Sequence, residues 1–303
     1  MEYTRIIFER GIEVSDRLNS IRMQSAGRSV GGIVREVGER FAVRPILLSG
    51  AVNGFDKRPR ERHLVLGTDG EPLGLKVSDI QPPRGLGERL CKSLMTPTLN
   101  VQYVTAATLY HVQQMALTYA AIADSVHSSA AVLHPESDRF GFQGQSEVYY
   151  EFDALVTAIR RTYDTLRYAL WAVYGRGPGL PSNFIKTVEA CKRIPEPLRG
   201  RLLESWEKFG IKVTAYRDCI QHNHPVTYGI ETSDMKRVDG GTWSVHMRIP
   251  DDPEVKSRFK FSFASGLDAL TYGWEVTNEV LSLATDTFAV FESPEKAMVA
   301  VES

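Results

Sequence analysis

SEVYYEFDALVTAIRRTYDTLRYALWAVY, residues Ser146–Tyr174, decides the fold class. Within it Phe152, Leu155, Val156, Ile159, Tyr163, Leu166, Leu170 and Val173 recur at three- and four-residue steps. A helix over this stretch therefore carries a broad apolar stripe that must be buried. Gly175-Arg-Gly-Pro-Gly stops it, and Val101–His134, rich in Ala, Leu and Gln and closed by Pro135, predicts a helix before it. After it, the pattern predicts a short helix over Ser182–Lys192 with Ser182 as N-cap, then a helix over Leu198–Gln221, bent near Gly210 and ended by Pro225. A last helix runs from Gly266 to Phe291. Ahead of it, Thr242–Ile249 and Ser257–Phe263 each alternate with period two, which predicts a β-hairpin joined through Pro250-Asp-Asp-Pro-Glu.

The first third has a different texture. Ile12, Val14, Leu18 and Ile21 predict a helix within Phe8–Met23, and Phe41–Leu48 reads as a strand. His63–Gly67, Thr68-Asp-Gly-Glu and Pro72–Val77 read as a hairpin around an Asp-Gly turn. Gln81-Pro-Pro-Arg-Gly-Leu-Gly follows, so the linker is placed at about residues 80–98. The expected class is α+β: a mixed α/β region over 1–95, then a helical bundle over 96–303 with an inserted β-hairpin.

The chain has 303 residues, 43% of them hydrophobic, enough for a core and too many for wholesale disorder. No apolar run approaches the ~18 residues of a membrane span, and MEYTRIIFER lacks the apolar heart of a signal peptide. Cys91, Cys191 and Cys219 are odd in number and far apart, which argues against a disulfide framework or a Cys-rich zinc site. These features predict a cytoplasmic protein with no membrane partner, metal or cofactor. The net charge of −1 hides an asymmetry: residues 1–95 hold 16 Lys+Arg against 12 Asp+Glu, leaving 20 against 25 beyond. Lys57-Arg-Pro-Arg-Glu-Arg-His63 carries much of the excess and reads as a solvated loop with capacity for phosphate contact.

Chemistry concentrates in Tyr216-Arg-Asp-Cys-Ile-Gln-His-Asn-His-Pro225. Pro225 disfavours helix at His224, so the helix should end near His222. Arg217 and His222 are then separated by roughly 140° around an ideal helix. Four readings compete: a polar cluster that ties down the following loop; a metal site from Cys219, His222 and His224, with no fourth ligand nearby; a Cys219–His nucleophile pair without an oxyanion-hole signature; and acid–base phosphodiester cleavage by Arg217 and His222.

Arg217-Asp-Cys-Ile-Gln-His222 resembles the R-x4–6-H signature of HEPN domains. The order of elements is similar too: a long helix, a second beginning Glu147-Val-Tyr-Tyr-Glu-Phe-Asp, a short helix, the motif helix and a final helix. The likeness covers roughly residues 100–291, and the hairpin after the motif departs from the minimal bundle. It implies a HEPN-like bundle acting as a metal-independent endoribonuclease of the toxin–antitoxin or phage-defence kind. Such a protein has RNA as substrate, forms a homodimer in which the Arg and His of two chains meet, and is controlled by an antitoxin or regulatory protein. Its alternative is a non-catalytic relative that binds nucleotide or protein. Under the nuclease reading His222 moves protons and Arg217 binds the phosphate, while Asp218, Asn223 and His224 orient or bind substrate. Asp153 and Asp164 are candidate partners of the motif, with a solvated face as the default. Tyr149, Tyr150 and Tyr163 read as core aromatics, Arg160-Arg161 as a surface pair, and His111, His127 and His246 as isolated.

Overall fold

The computed structural model describes residues 2–15, 30–53, 59–67, 73, 80, 88–133, 139–141, 146–177, 179–226, 233–239 and 242–291. It is predominantly helical with two small antiparallel sheets, an α+β chain. The elements are β1 (Glu2–Phe8), β2 (Glu13–Ser15), α1 (Val30–Phe41), β3 (Pro45–Asn53), β4 (Pro59–Val65), α2 (Glu88–Leu133), β5 (Arg139–Gly141), α3 (Ser146–Tyr174), α4 (Phe184–Ala190), α5 (Glu196–Ser205), α6 (Ile211–His222), β6 (Ser233–Asp239), β7 (Thr242–Met247) and α7 (Ala269–Phe291). The chain divides into two compact units. One comprises Met1–Leu73, Tyr110–Ala154 and Cys219–Glu275; the other comprises Gly74–Leu109, Leu155–Asp218 and Val276–Ser303.

In the first unit, β1 is central to a four-stranded sheet of order β2-β1-β3-β4. Ile6 faces Leu48 and Ile7 faces Leu47 across the β1–β3 ladder. One face of the sheet is sealed by α1, with Ile6, Phe8, Ile12, Val37 and Val43 buried together and Val34 and Phe41 packed against them. This corrects the expected helix over Phe8–Met23. Residues 2–15 form β1, a single tight turn at Glu9–Gly11 and β2, while residues 16–29 lie outside the described set. The reason is tertiary. Glu9 is buried, and its carboxylate accepts bonds from the Arg44 backbone amide at 2.9 Å and from Nε at 3.0 Å, which fixes the turn onto the start of β3. The Arg44 guanidinium also reaches Glu275 at 2.8 Å and lies over the Trp274 ring, 4.5 Å from its centroid. Strand 63–65 forms and pairs with β3; of the expected second arm, Pro72–Val77, only Leu73 is described, and its amide donates to Val65 O at 2.7 Å, while the Asp-Gly turn lies outside the described residues.

The second sheet has the order β5-β6-β7. Here too the expectation needs correcting: β7 pairs with β6, and Ser257–Phe263 is no strand. Side chains Asp251 and Asp252 capture the backbone of this segment, with Asp252 accepting from the Ser262 amide at 2.9 Å and Asp251 from the Ser265 amide at 3.1 Å. A strand needs those amides for a neighbouring strand.

In the second unit, Tyr163, Phe184 and Trp206 form an aromatic trio with centroids 5.2–5.4 Å apart, Phe184 stacked on Trp206 and Tyr163 edge-on to both. The Tyr163 hydroxyl meets Ser205 Oγ at 2.9 Å. Helix α3 spans the predicted residues, and α4 is capped by Asn183, which accepts from the Lys186 amide at 2.9 Å, rather than by Ser182. Helix α2 begins at Glu88 and carries Pro97 inside it, so helical structure starts earlier than expected and passes through position 95/96. The predicted bend near Gly210 is a π-type turn over Trp206–Gly210 between α5 and α6. A Cβ on Gly210 would approach the Trp206 ring to 2.5 Å, so the turn requires glycine there.

The start of α7 is fixed by Asp268, a carboxylate that is only 5% exposed. It accepts from the Tyr119 hydroxyl at 2.8 Å, the Met247 amide at 3.0 Å and, as N-cap, the Thr271 amide at 3.0 Å. The Leu270 amide in turn donates to the Tyr119 oxygen at 3.3 Å. Burial, and then the neighbouring carboxylate, hold the Tyr119 phenol well above its ordinary range, so it remains a donor. Asp268→Ala strands two buried donors and uncaps α7, and should cost roughly 3–5 kcal/mol in urea denaturation. Tyr119→Phe, which leaves the carboxylate its backbone donors, should cost about 1 kcal/mol. Equal costs for the two variants would show that the carboxylate is not the organising member.

Candidate functional site

Helix α6 buries Val213, Tyr216 and Cys219, a stripe at three-residue steps that fixes the helix's rotation. Arg217 borders that stripe and is half-buried; His222, the last helical residue, is exposed, as are Gln221 and Asn223. The helix closes on one carbonyl: Cys219 O accepts from the Asn223 amide at 2.8 Å and from the His224 amide at 2.9 Å. The second bond is a six-residue turn of the kind that ends helices, and Pro225 prevents a further turn.

Within this frame the candidate residues part company. The Arg217 guanidinium pairs with the adjacent Asp218 carboxylate at 2.5 Å, and among the described residues Asp218 has no imidazole partner. The side chains of that pair are 35% and 47% exposed, a setting in which an ion pair is worth ~0–1 kcal/mol and yields to a better anion. The Cys219 thiol is buried and donates to His224 O at 3.5 Å. Burial pushes its pKa up, and the Asp153 charge adds to the effect, opposite to what a nucleophilic thiolate needs. His224 is half-buried and its Nε2 lies 3.0 Å from the Lys256 carbonyl, so that nitrogen carries the proton and ties the motif to the segment after β7. His222 has no hydrogen-bond or ion-pair partner among the described residues.

The Cys219 thiol and His224 Nε2 each face a backbone carbonyl rather than each other. Among the described residues no three of His, Cys, Asp and Glu gather as ligands. Of the two helical acids, Asp164 pairs with Arg160 at 2.7 Å. Asp153 instead lies near enough for its charge to be felt at Cys219 and has no bonding partner among the described residues. Tyr163 is core as expected, and Tyr149 is buried with its hydroxyl donating to Arg248 O at 3.1 Å, but Tyr150 is 69% exposed. His111 is not isolated: Nδ1 meets Glu151 at 2.8 Å. That partner, forty residues away, left no trace in local spacing. Among the described residues no helix is long and apolar enough to cross a membrane.

No protein-family model, curated protein or solved structure matches the chain.

Burial pushes the Asp153 carboxyl up to about 6. The folded chain therefore holds a proton that a solvated carboxyl releases near pH ~4. The group's effect on stability is most favourable below that lower value and is lost as pH rises through about 6. Asp153→Asn should raise stability at pH 7.5 by on the order of 1 kcal/mol, a figure reduced for its half-exposure, and change little at pH 4. Urea midpoints at the two pH values test this, and the same gain at both would refute it.

Proposed function

We propose that the chain is an endoribonuclease of HEPN type that cleaves RNA through Arg217 and His222 by attack of the substrate's own 2′-OH. The observation that carries the reading is the partition of chemistry along α6: the imidazole of His222 is exposed and has no partner among the described residues, whereas the rival nucleophile, Cys219, is buried with its thiol pKa raised. Such cleavage requires no protein nucleophile and no metal. It requires a group near neutral pKa to move protons and a permanent cation to meet charge on the phosphorane. Histidine and arginine supply these two properties. Within the reading His222 is the acid–base and Arg217 the phosphate ligand, released from Asp218 when a phosphate arrives. Asn223 is exposed and available to substrate, and His224 acts as a positioning residue through its bond to Lys256. Homodimerisation, an antitoxin or regulator, and a controlling role for residues 1–95 belong to the same reading.

One observation favours the alternative, a non-catalytic binding module. Arg217 already has an anionic partner, and residues 96–303 carry more acid than base. The two part under substitution. Purified chain incubated with mixed RNA in excess EDTA should release fragments ending in 2′,3′-cyclic phosphate. His222→Ala and Arg217→Ala should each lower the rate at least ~100-fold, and Cys219→Ser should leave it unchanged. Intact RNA with the wild-type chain, freed of any co-purifying protein, favours the binding module; loss of activity in Cys219→Ser alone moves the case to thiol chemistry.

A further inference from the structure

Val255–Leu267 carries Lys256, Arg258 and Lys260 and no acidic residue, with Phe259, Phe261 and Phe263 interleaved. Its backbone forms a single 3-10 turn at Arg258–Lys260, closed by a bond from the Lys260 amide to Ser257 O at 2.9 Å. That turn divides the three phenylalanines. Phe261 and Phe263 are half-buried and meet edge to face, 6.4 Å between centroids, while Phe259 is carried outward and is 78% exposed. Lys256 and Lys260 are exposed, and neither has an ion-pair partner among the described residues. The nearest acids in sequence, Asp251 and Asp252, are occupied by the Ser262 and Ser265 bonds; Glu254 is exposed. Those serine bonds hold both ends of the excursion, so the exposed ring stands on a braced loop.

We infer that this segment is a binding platform for single-stranded RNA, in which Phe259 stacks on an unpaired base and Lys256 and Lys260 meet the flanking phosphates. An exposed aromatic ring between cations is the combination that single strands require, because every base offers a face to stack on and every linkage a negative charge. The platform is coupled to the motif directly: the Lys256 carbonyl is the partner of His224 Nε2, two residues beyond His222. A strand stacked on Phe259 is thereby registered against the exposed imidazole within the same unit. The inference rests on RNA being the ligand of the motif, and it adds where the strand is held.

The test uses the full chain and a labelled 2′-O-methyl oligouridylate of about 12 nucleotides, which has no free 2′-OH and is not cut by the proposed chemistry. Fluorescence anisotropy at low salt should show binding by the wild-type chain, weakened on the order of tenfold in Phe259→Ala. Lys256→Gln with Lys260→Gln should lower the slope of log affinity against log salt by about 1.4, two single-strand phosphate contacts. Unchanged thermal melting of both variants shows that the loss is not of fold. Absence of binding by the wild-type chain, unchanged affinity in Phe259→Ala, or equal affinity for an RNA duplex, whose paired bases cannot stack, each overturns the platform. Phe259-dependent binding without RNA cleavage keeps the platform and removes the nuclease, whereas cleavage with Phe259-independent binding does the reverse.

Discussion

A buried carboxylate surrounded by donors is the constraint from which the first unit is built. Asp268 accepts and cannot donate, so each of its three partners must bring a hydrogen, and each comes from a different place: the Tyr119 hydroxyl on α2, the Met247 amide at the end of β7 and the Thr271 amide in the first turn of α7. Moving the Tyr119 hydroxyl or the Met247 amide away leaves a donor in a region closed to water, a loss much larger than the bond's net worth. The position of α7 is thereby set at its first turn. Six residues later Trp274 lies under Arg44 and its indole N–H bonds Leu66 O at 2.7 Å, which carries the same constraint to the four-stranded sheet. The Asp251–Ser265 excursion runs between β7 and Asp268, so both of its ends are fixed by this node.

The sequence discloses what is local and conceals what is not. Helix α3 is legible to the residue because its stripe is a property of consecutive side chains, and the bend at Gly210 is legible because glycine disfavours helix. The identity of a strand's partner is a different matter. Period two tells only that alternate residues face alike; both Thr242–Ile249 and Ser257–Phe263 have it, and side-chain bonds from Asp251 and Asp252 decide that only the first enters a sheet. Likewise Ile12 and Val14 fit a loose helical spacing, but the half-buried Glu9–Arg44 contact, thirty-five residues apart in sequence, makes a hairpin of that stretch. Asp268 reads as one acid before a helix, and its role depends on Tyr119, about 150 residues earlier.

The candidate site divides along the same line. The end of α6 at His222 follows from Pro225 and was readable; the engagement of Arg217 by Asp218 is a neighbour effect that spacing alone does not choose. The bond from His224 to Lys256 was beyond reading, because it depends on a loop whose pattern pointed to a strand. What the sequence held in plain view was the interleaving of Lys256, Arg258 and Lys260 with three phenylalanines, which period two disguised as a β pattern.

The burial of Cys219 and the exposure of His222, three positions apart on one helix, bear on the kind of chemistry open to this chain. A thiol enzyme needs its nucleophile exposed and ionised, and burial here works against both. A substrate that carries its own nucleophile reverses the demand: the protein then needs no thiolate, only a group that moves protons and a cation that meets the phosphate. The requirement that remains is to hold a flexible strand still, since a reacting phosphate gains little from groups it meets in random orientation. Under the proposed reading the motif would not act alone, and a platform tied to it through the bond of His224 to Lys256 O would supply that holding element.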